Sequence, residues 1–158
     1  MSLVAVNDLL FKADKEGYAV GAFNANNMEI VQAIVEAAEK EKSPVIMQAS
    51  QGAIKYAGLE FITGMVKIAA EEASVPVALH LDHGTDFDQV VKCIRSGFSS
   101  VMYDGSKLSL EDNIAITNKV LDMARPIGVS VEAELGKIGG TEDLVHVEDK
   151  DAVFTDPE

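Results

Sequence analysis

Short apolar runs alternate with longer amphipathic segments along the chain. The runs are continuously apolar, which is typical of strands in a parallel sheet that is covered on both faces. They predict strands at 18–23, 45–48, 75–81, 100–103 and 129–135. The longer segments repeat apolar residues every three or four positions and predict helices at 8–16, 28–42, 59–73, 86–96 and 110–124. Asn7 and Asn27 precede the first two helices and are predicted to cap them.

This alternation predicts an α/β fold with a parallel sheet, either open and doubly wound or part of a (β/α)₈ barrel. Polar residues lie at or near the carboxyl ends of the predicted strands, namely Asn24, Ser50, Asp82 with His83, Asp104 and Glu134. A barrel collects all its strand ends on one rim, whereas an open sheet concentrates polar groups at one switch point. The pattern therefore favours a TIM barrel, of which the chain supplies about the first five strands.

Composition and charge narrow the class of protein. The 158 residues carry a formal net charge of −13, which argues against nucleic acid and anionic membranes as partners. No apolar run approaches the length of a membrane span. The single cysteine, Cys93, precludes an internal disulfide and fits a cytoplasmic protein. Its place in a helical pattern predicts a small buried apolar residue rather than a nucleophile.

Titratable residues near the strand ends are candidates for chemistry. Glu132 and Glu134 share one strand face by alternation. Either a cation or protons compensate them, or the strand is an edge and both carboxylates face water. His80 alone is expected to be a core histidine with satisfied hydrogen bonds. Asp82 and His83 occupy the rim, where a histidine and acids from neighbouring strands would converge on one metal ion.

The segment after the last predicted strand is rich in glycine and carries Glu142. It predicts either a mobile lid that brings in a general base, or an ordinary solvent loop with exposed acids. Asn24 and Ser50 are either turn residues or substrate contacts, and the segment at Ser50 could offer a hydroxyl and backbone N–H groups to phosphate. No lysine lies inside a predicted strand, so nothing indicates a Schiff base.

Six segments in order along nearly the whole chain resemble the class II, metal-dependent ketose-bisphosphate aldolases. They are GAFN at 21–24, QASQGA at 48–53, HLDHG at 80–84, SVMYDGS at 100–106, SVEAELG at 130–136 and GGTED at 139–143. The resemblance implies a (β/α)₈ barrel with catalytic zinc, and a phosphorylated sugar as substrate. Fructose 1,6-bisphosphate is the expected sugar and tagatose bisphosphate the alternative. A dimer or tetramer is expected of the full-length protein.

The resemblance also implies roles for single residues. His83 matches a zinc ligand, and Asp104 and Glu134 match positions linked to an alternative or second cation, divalent or monovalent. Asp82 is implied to act on the proton of the C4 hydroxyl. Glu142 is expected to exchange the proton at C3 of the substrate. Asn24 and Ser50 are expected to contact the substrate, with Ser50 at a phosphate.

The chain is shorter than the barrel that it resembles. Residues 1–158 are expected to be the N-terminal portion of a single TIM-barrel catalytic domain, inactive alone and prone to associate through an open sheet edge. FTDPE at 154–158 predicts the start of a further helix, and His146 is expected in a surface loop. Two competing interpretations stay open: a non-catalytic half-barrel module, and a Schiff-base aldolase whose lysine lies elsewhere.

Overall fold

A computed structural model describes residues 3–137, 139–142, 145–148 and 152. Five parallel strands form one sheet in the order β1-β2-β3-β4-β5. They are β1 (Gly21–Asn24), β2 (Val45–Ser50), β3 (Val77–Gly84), β4 (Ser100–Tyr103) and β5 (Ser130–Ala133). Each strand pairs with the next one in sequence, which is the connectivity of consecutive βαβ units. The structure thus confirms the predicted parallel α/β sheet.

Helices connect the strands, and a small hairpin follows the sheet. The helices are α1 (Val6–Glu16), α2 (Met28–Glu41), α3 (Gln51–Ala57), α4 (Leu59–Glu72), α5 (Phe87–Ser96) and α6 (Leu110–Ala124). The antiparallel hairpin consists of β6 (Gly140–Glu142) and β7 (Val145–Val147). The sequence did not predict α3 or the hairpin, because both are too short to show a clear periodicity.

The prediction for the start of the first helix was wrong. The N-cap of α1 is Ala5, which makes no side-chain capping bond. Asn7 lies inside the first turn, where its backbone N–H donates to Ser130 Oγ at 3.0 Å. Asn27 is the N-cap of α2 as predicted, since its side chain accepts a hydrogen bond from the N–H of Ile30 at 2.9 Å.

The two faces of the sheet are covered differently. One face packs against the connecting helices in a large apolar core, in which Met47, Leu79 and Val101 are fully buried. On the other face, α1 packs its Leu9 near Ala78, at the amino end of the sheet. The apolar cover on this second face therefore stops below the carboxyl ends of the strands.

Above α1, one register position is polar in all five strands. The paired residues are Asn24, Gln48, His80, Ser100 and Ser130. Barrel interiors are usually filled with branched aliphatic side chains, so a complete polar row is unusual for a packed core. The row therefore lies between the apolar layer over α1 and the strand ends that carry the titratable residues, and its His80, Ser100 and Ser130 are buried and hydrogen-bonded.

Cys93 behaves as predicted. The side chain is buried, and burial raises the pKa of the thiol to about 11 despite a hydrogen bond with Gln89, so the group stays protonated at neutral pH. None of the helices in the described part of the chain is both long and apolar enough to cross a membrane.

Candidate metal and catalytic site

The site begins with an irregularity at the end of β3. Leu81 pairs with Val101 and Gly84 with Tyr103, so three steps along β3 match only two along β4. This extra residue is a β-bulge, and within it His83 adopts a left-handed backbone with φ of +50°. Regular alternation would send the neighbouring side chains of residues 82 and 83 to opposite faces. The bulge instead turns His83 toward the ends of β4 and β5.

Three side chains from three strand ends meet at this point. His83 Nδ1 lies 3.2 Å from Asp104 Oδ2 and 3.2 Å from Glu134 Oε2. One ligand atom from each residue lies within 4.8 Å of the other two. The structure therefore brings together the three residues that the sequence assigned to metal binding.

Further hydrogen bonds hold Asp104 and Glu134 in place. Asp104 is buried, and its Oδ1 accepts a hydrogen bond from the N–H of Ser106 at 3.0 Å. The Asn113 side chain on α6 donates to the backbone oxygen of Glu134 at 2.8 Å. Sequence reasoning missed Asn113, because a polar residue inside a helical pattern carries no signal of a partner 21 positions later.

The electrostatics of the cluster favour opposite charges on its members. Burial lowers the pKa of His83, but the hydrogen bond with Asp104 and the charges of Asp82, Glu134 and Asp104 outweigh it and hold the pKa above its ordinary value. Burial raises the pKa of Asp104, but hydrogen bonds from Ser106 and His83 outweigh it and hold that pKa below its ordinary value. The site thus stabilises a cation between two carboxylates.

The donor set fits a divalent metal ion. A ring nitrogen and two carboxylate oxygens are ligands that zinc accepts at about 2.0–2.2 Å. In a tetrahedral shell with such bond lengths, neighbouring ligand atoms lie roughly 3.3 Å apart. Two edges of the present cluster measure 3.2 Å, and the third ligand pair also lies within 4.8 Å, so the three ligand atoms are close enough together to bind one ion.

His80 lies one layer below the rim and is the satisfied core histidine that the sequence predicted. Its Nδ1 lies 2.8 Å from Ser100 Oγ, and its Nε2 lies 3.5 Å from Glu132 Oε2. Burial and the charge of His83 lower the pKa of His80 to about 4, so this imidazole is neutral at physiological pH.

We expect His80 to make the fold sensitive to acid. Its pKa falls from 6.5 in the unfolded chain to about 4 in the folded chain, so in this interval the unfolded chain binds the extra proton. The contribution of His80 is thus present above pH 6.5 and is lost as pH falls, by about 1.4 kcal/mol per pH unit. His83 acts in the opposite direction, because its pKa is raised.

Urea unfolding of the native chain and a His80→Gln variant at pH 7 and pH 4.5 tests this expectation. Comparing the two proteins cancels the titration of the other acids. The stability advantage of the native chain should shrink by about 2 kcal/mol on acidification. A difference that stays constant with pH would show that His80 does not carry the effect.

Among the described strands, β5 lies at the edge of the sheet, as one of the two interpretations of Glu132 and Glu134 required. Its two acids nevertheless have different surroundings. The side chain of Glu132 is 58% exposed and approaches His80, whereas that of Glu134 is 21% exposed and approaches His83. Burial and the charge of Asp82 raise the pKa of Glu132. Glu134 is therefore compensated by His83, whereas His80 is neutral at physiological pH and Glu132 is mostly exposed to solvent.

The remaining predicted site residues lie at the same end of the sheet or beyond it. Asn24 ends β1 and is exposed. Ser50 ends β2, is buried and caps α3, because its Oγ accepts the N–H of Ala53 at 3.2 Å. Glu142 ends β6 of the hairpin, where the sequence predicted a loop or lid. The side chains of Glu142 and His146 and residues 154–158 lie outside the described part, so those predictions stay open.

Sequence comparison identifies the family. The family model for "Fructose-bisphosphate aldolase class-II" matches residues 4–158. The chain is 53% identical over 156 residues to fructose-bisphosphate aldolase of Helicobacter pylori strain J99, covering 98% of this chain and 51% of the relative. It is 48% identical over 158 residues to sulfofructosephosphate aldolase of Alkalicoccus urumqiensis, covering 100% of this chain and 55% of the relative. The chain thus spans about half the length of these curated relatives.

Structural comparison agrees. The YdjI aldolase of Escherichia coli K12 superimposes with a TM-score of 0.81 at 34% identity, covering 85% of this chain and 52% of that one. Fructose-bisphosphate aldolase of Campylobacter jejuni superimposes with a TM-score of 0.76 at 29% identity, covering 86% of this chain and 48% of that one. The five-stranded sheet corresponds to about half of an aldolase TIM barrel, as the sequence predicted. The chain belongs to the class II fructose-bisphosphate aldolase family.

Proposed function

We propose that residues 1–158 are the N-terminal portion of a single barrel domain that catalyses reversible aldol cleavage of fructose 1,6-bisphosphate. The products are dihydroxyacetone phosphate and glyceraldehyde 3-phosphate. The observation that carries the proposal is Asp82 placed directly before His83, at the bulge where His83 meets Asp104 and Glu134. A proton-transfer group then lies beside a metal-binding cluster on one rim.

The reaction explains why these groups belong together. Breaking the C3–C4 bond leaves an electron pair on C3, which needs stabilisation through the neighbouring C2 carbonyl. A divalent ion, zinc in the family that the motifs resemble, would supply that stabilisation as a Lewis acid. His83, Asp104 and Glu134 would hold the ion, and Asp104 and Glu134 are also candidates for binding a second divalent or a monovalent cation.

Protons are handled by two carboxylates in this proposal. Asp82 takes the proton of the C4 hydroxyl during cleavage and returns it during condensation. Its place on a strand of the sheet fixes its position relative to His83. Glu142 exchanges the proton at C3 of the dihydroxyacetone-phosphate half, and its separate hairpin allows it to approach after substrate binds.

Two further residues are proposed to bind substrate. Asn24 is exposed at the rim end of β1, where its amide can reach a sugar hydroxyl. Ser50 is proposed to contact a phosphate. Its oxygen accepts the N–H of Ala53, so a phosphate contact would use the donor capacity of the same hydroxyl.

The proposed setting follows from the family. A cytoplasmic protein that assembles as a homo-oligomer and uses a phosphorylated sugar fits a class II aldolase. Sulfofructose phosphate is a second candidate substrate, because a relative that is 48% identical carries that name. Tagatose bisphosphate is a third candidate substrate, and a non-catalytic half-barrel module is the competing function.

A completed barrel provides the test. The 158-residue chain would be assayed alone and fused to the second half of the Helicobacter pylori relative, with fructose 1,6-bisphosphate, tagatose 1,6-bisphosphate and sulfofructose phosphate. We expect no activity from the chain alone and chelator-sensitive cleavage of fructose 1,6-bisphosphate by the fusion. A folded fusion without activity on any of the three sugars would favour the non-catalytic module. Cleavage by the chain alone would overturn its proposed inactivity.

A further inference from the structure

The side chain of Gln51 joins the end of β2 to the bulge of β3. Gln51 is the first residue of α3 and directly follows Ser50. Its amide nitrogen donates to the backbone oxygen of His83 at 2.9 Å and to Thr85 Oγ1 at 2.9 Å. Both protons of one amide group are thereby directed at the segment that contains His83.

His83 needs such support because its backbone conformation is unfavourable. A non-glycine residue in the left-handed region costs about 1–2 kcal/mol relative to the right-handed form. His83 has φ of +50°, and an ordinary strand conformation would take the ring away from Asp104. The position of the imidazole therefore depends on contacts that hold the backbone in the rarer form.

The bulge is held from both neighbouring strands. On the β2 side, Gln51 fixes the peptide group that follows His83 through its carbonyl oxygen. On the β4 side, the N–H of Asp104 donates to the backbone oxygen of Gly84 at 3.1 Å. The second contact is made by backbone atoms and does not depend on a side chain. The hydrogen bond from the Gln51 side chain is therefore the contact that a substitution can remove without changing a member of the metal cluster.

We propose that Gln51 is a positioning residue for His83, which it holds in the left-handed conformation that places Nδ1 between Asp104 and Glu134. This inference rests on the proposed function, because it assigns Gln51 to the metal cluster of that proposal. The two acceptors explain the residue type. A glutamate has the same length but would present oxygen atoms to the oxygen atoms of His83 and Thr85, and asparagine is one methylene too short.

Two measurements on the 158-residue chain test the proposal. The first is the affinity for Zn²⁺, measured by competition with a chromophoric chelator. The second is the backbone φ of His83 in the metal-free protein, measured by NMR. The variants are Gln51→Glu and Gln51→Met, which keep the length of the side chain and remove its donors. The matched control is Gln89→Ala, because the Gln89 amide contacts Cys93 Sγ at 3.4 Å on α5, outside the cluster.

We expect both Gln51 variants to bind Zn²⁺ about 10–100-fold more weakly, as is typical when support of a metal ligand is lost. We also expect φ of His83 to leave the left-handed region in both variants and to be retained in Gln89→Ala. Unchanged zinc affinity and unchanged φ in folded Gln51 variants would overturn the proposal. Failure of the native chain to bind Zn²⁺ would count against the proposed function, while the φ measurement would still decide the role of Gln51.

Discussion

Replacing Asp82 with asparagine is expected to lower the rate of aldol cleavage by the completed barrel about a thousandfold. A positioned acid–base group contributes roughly 10²–10⁴ in rate, and the amide cannot accept the C4 proton. The substitution keeps the size of the side chain, and Asp82 is only partly buried. We therefore expect KM to change little while kcat falls, which steady-state assays of the fusion protein would show.

The matched control is Asp122→Asn on the exposed side of α6, which removes the same charge far from the rim. It should leave kcat within a factor of two of the native value. A full-rate Asp82→Asn enzyme would assign the proton transfer to another group. Equal losses in both variants would indicate a general effect of charge.

Replacing Gly84 with alanine is expected to destabilise the chain by about 3 kcal/mol and to weaken zinc binding at the same time. A methyl group on Gly84 would lie 2.7 Å from the backbone oxygen of Met102 and 2.7 Å from Leu81 Cδ2. The backbone oxygen belongs to β4 and cannot move without disturbing the sheet. Because Gly84 follows His83, relief of the clash would shift the bulge and the imidazole.

Gly64→Ala is the control for this substitution. Gly64 lies inside α4, and apart from its chain neighbours and the backbone of its own helix no heavy atom would lie within 4 Å of an added methyl group. Alanine favours a helix interior over glycine by about 0.5–1 kcal/mol, so this variant should be slightly more stable and bind zinc normally. If Gly84→Ala retained both stability and zinc affinity in urea unfolding and zinc titrations, the close packing of the bulge would be contradicted.

The sequence allowed the sheet and most of the rim to be predicted, because both depend on local patterns. Continuous apolar runs mark the strands, and parallel strands place Asp104 and Glu134 at the same end of the sheet. Errors occurred where a distant contact decides the structure. Asn7 resembles an N-cap in sequence, but its N–H donates to Ser130, which is 123 positions away.

The arrangement of His83 could not be predicted from its own strand. Alternation alone sends it away from the face of Asp82. The bulge that reverses this depends on the tight fit of Gly84 against β4 and on a hydrogen bond from Gln51, which lies 32 positions earlier. Both are tertiary contacts without a local signal, so the strand pattern alone could not show how His83 reaches the rim.

Metal binding by the cluster of His83, Asp104 and Glu134 is the property on which the proposed function depends most directly. Zinc titration of the 158-residue chain by calorimetry, in parallel with His83→Ala, would test this claim. The proposed site predicts binding of Zn²⁺ to the native chain that is lost in the variant, while a His80→Gln chain retains it. Equal zinc binding by the native chain and His83→Ala, or none by either, would contradict the assignment of His83, Asp104 and Glu134 as the metal site.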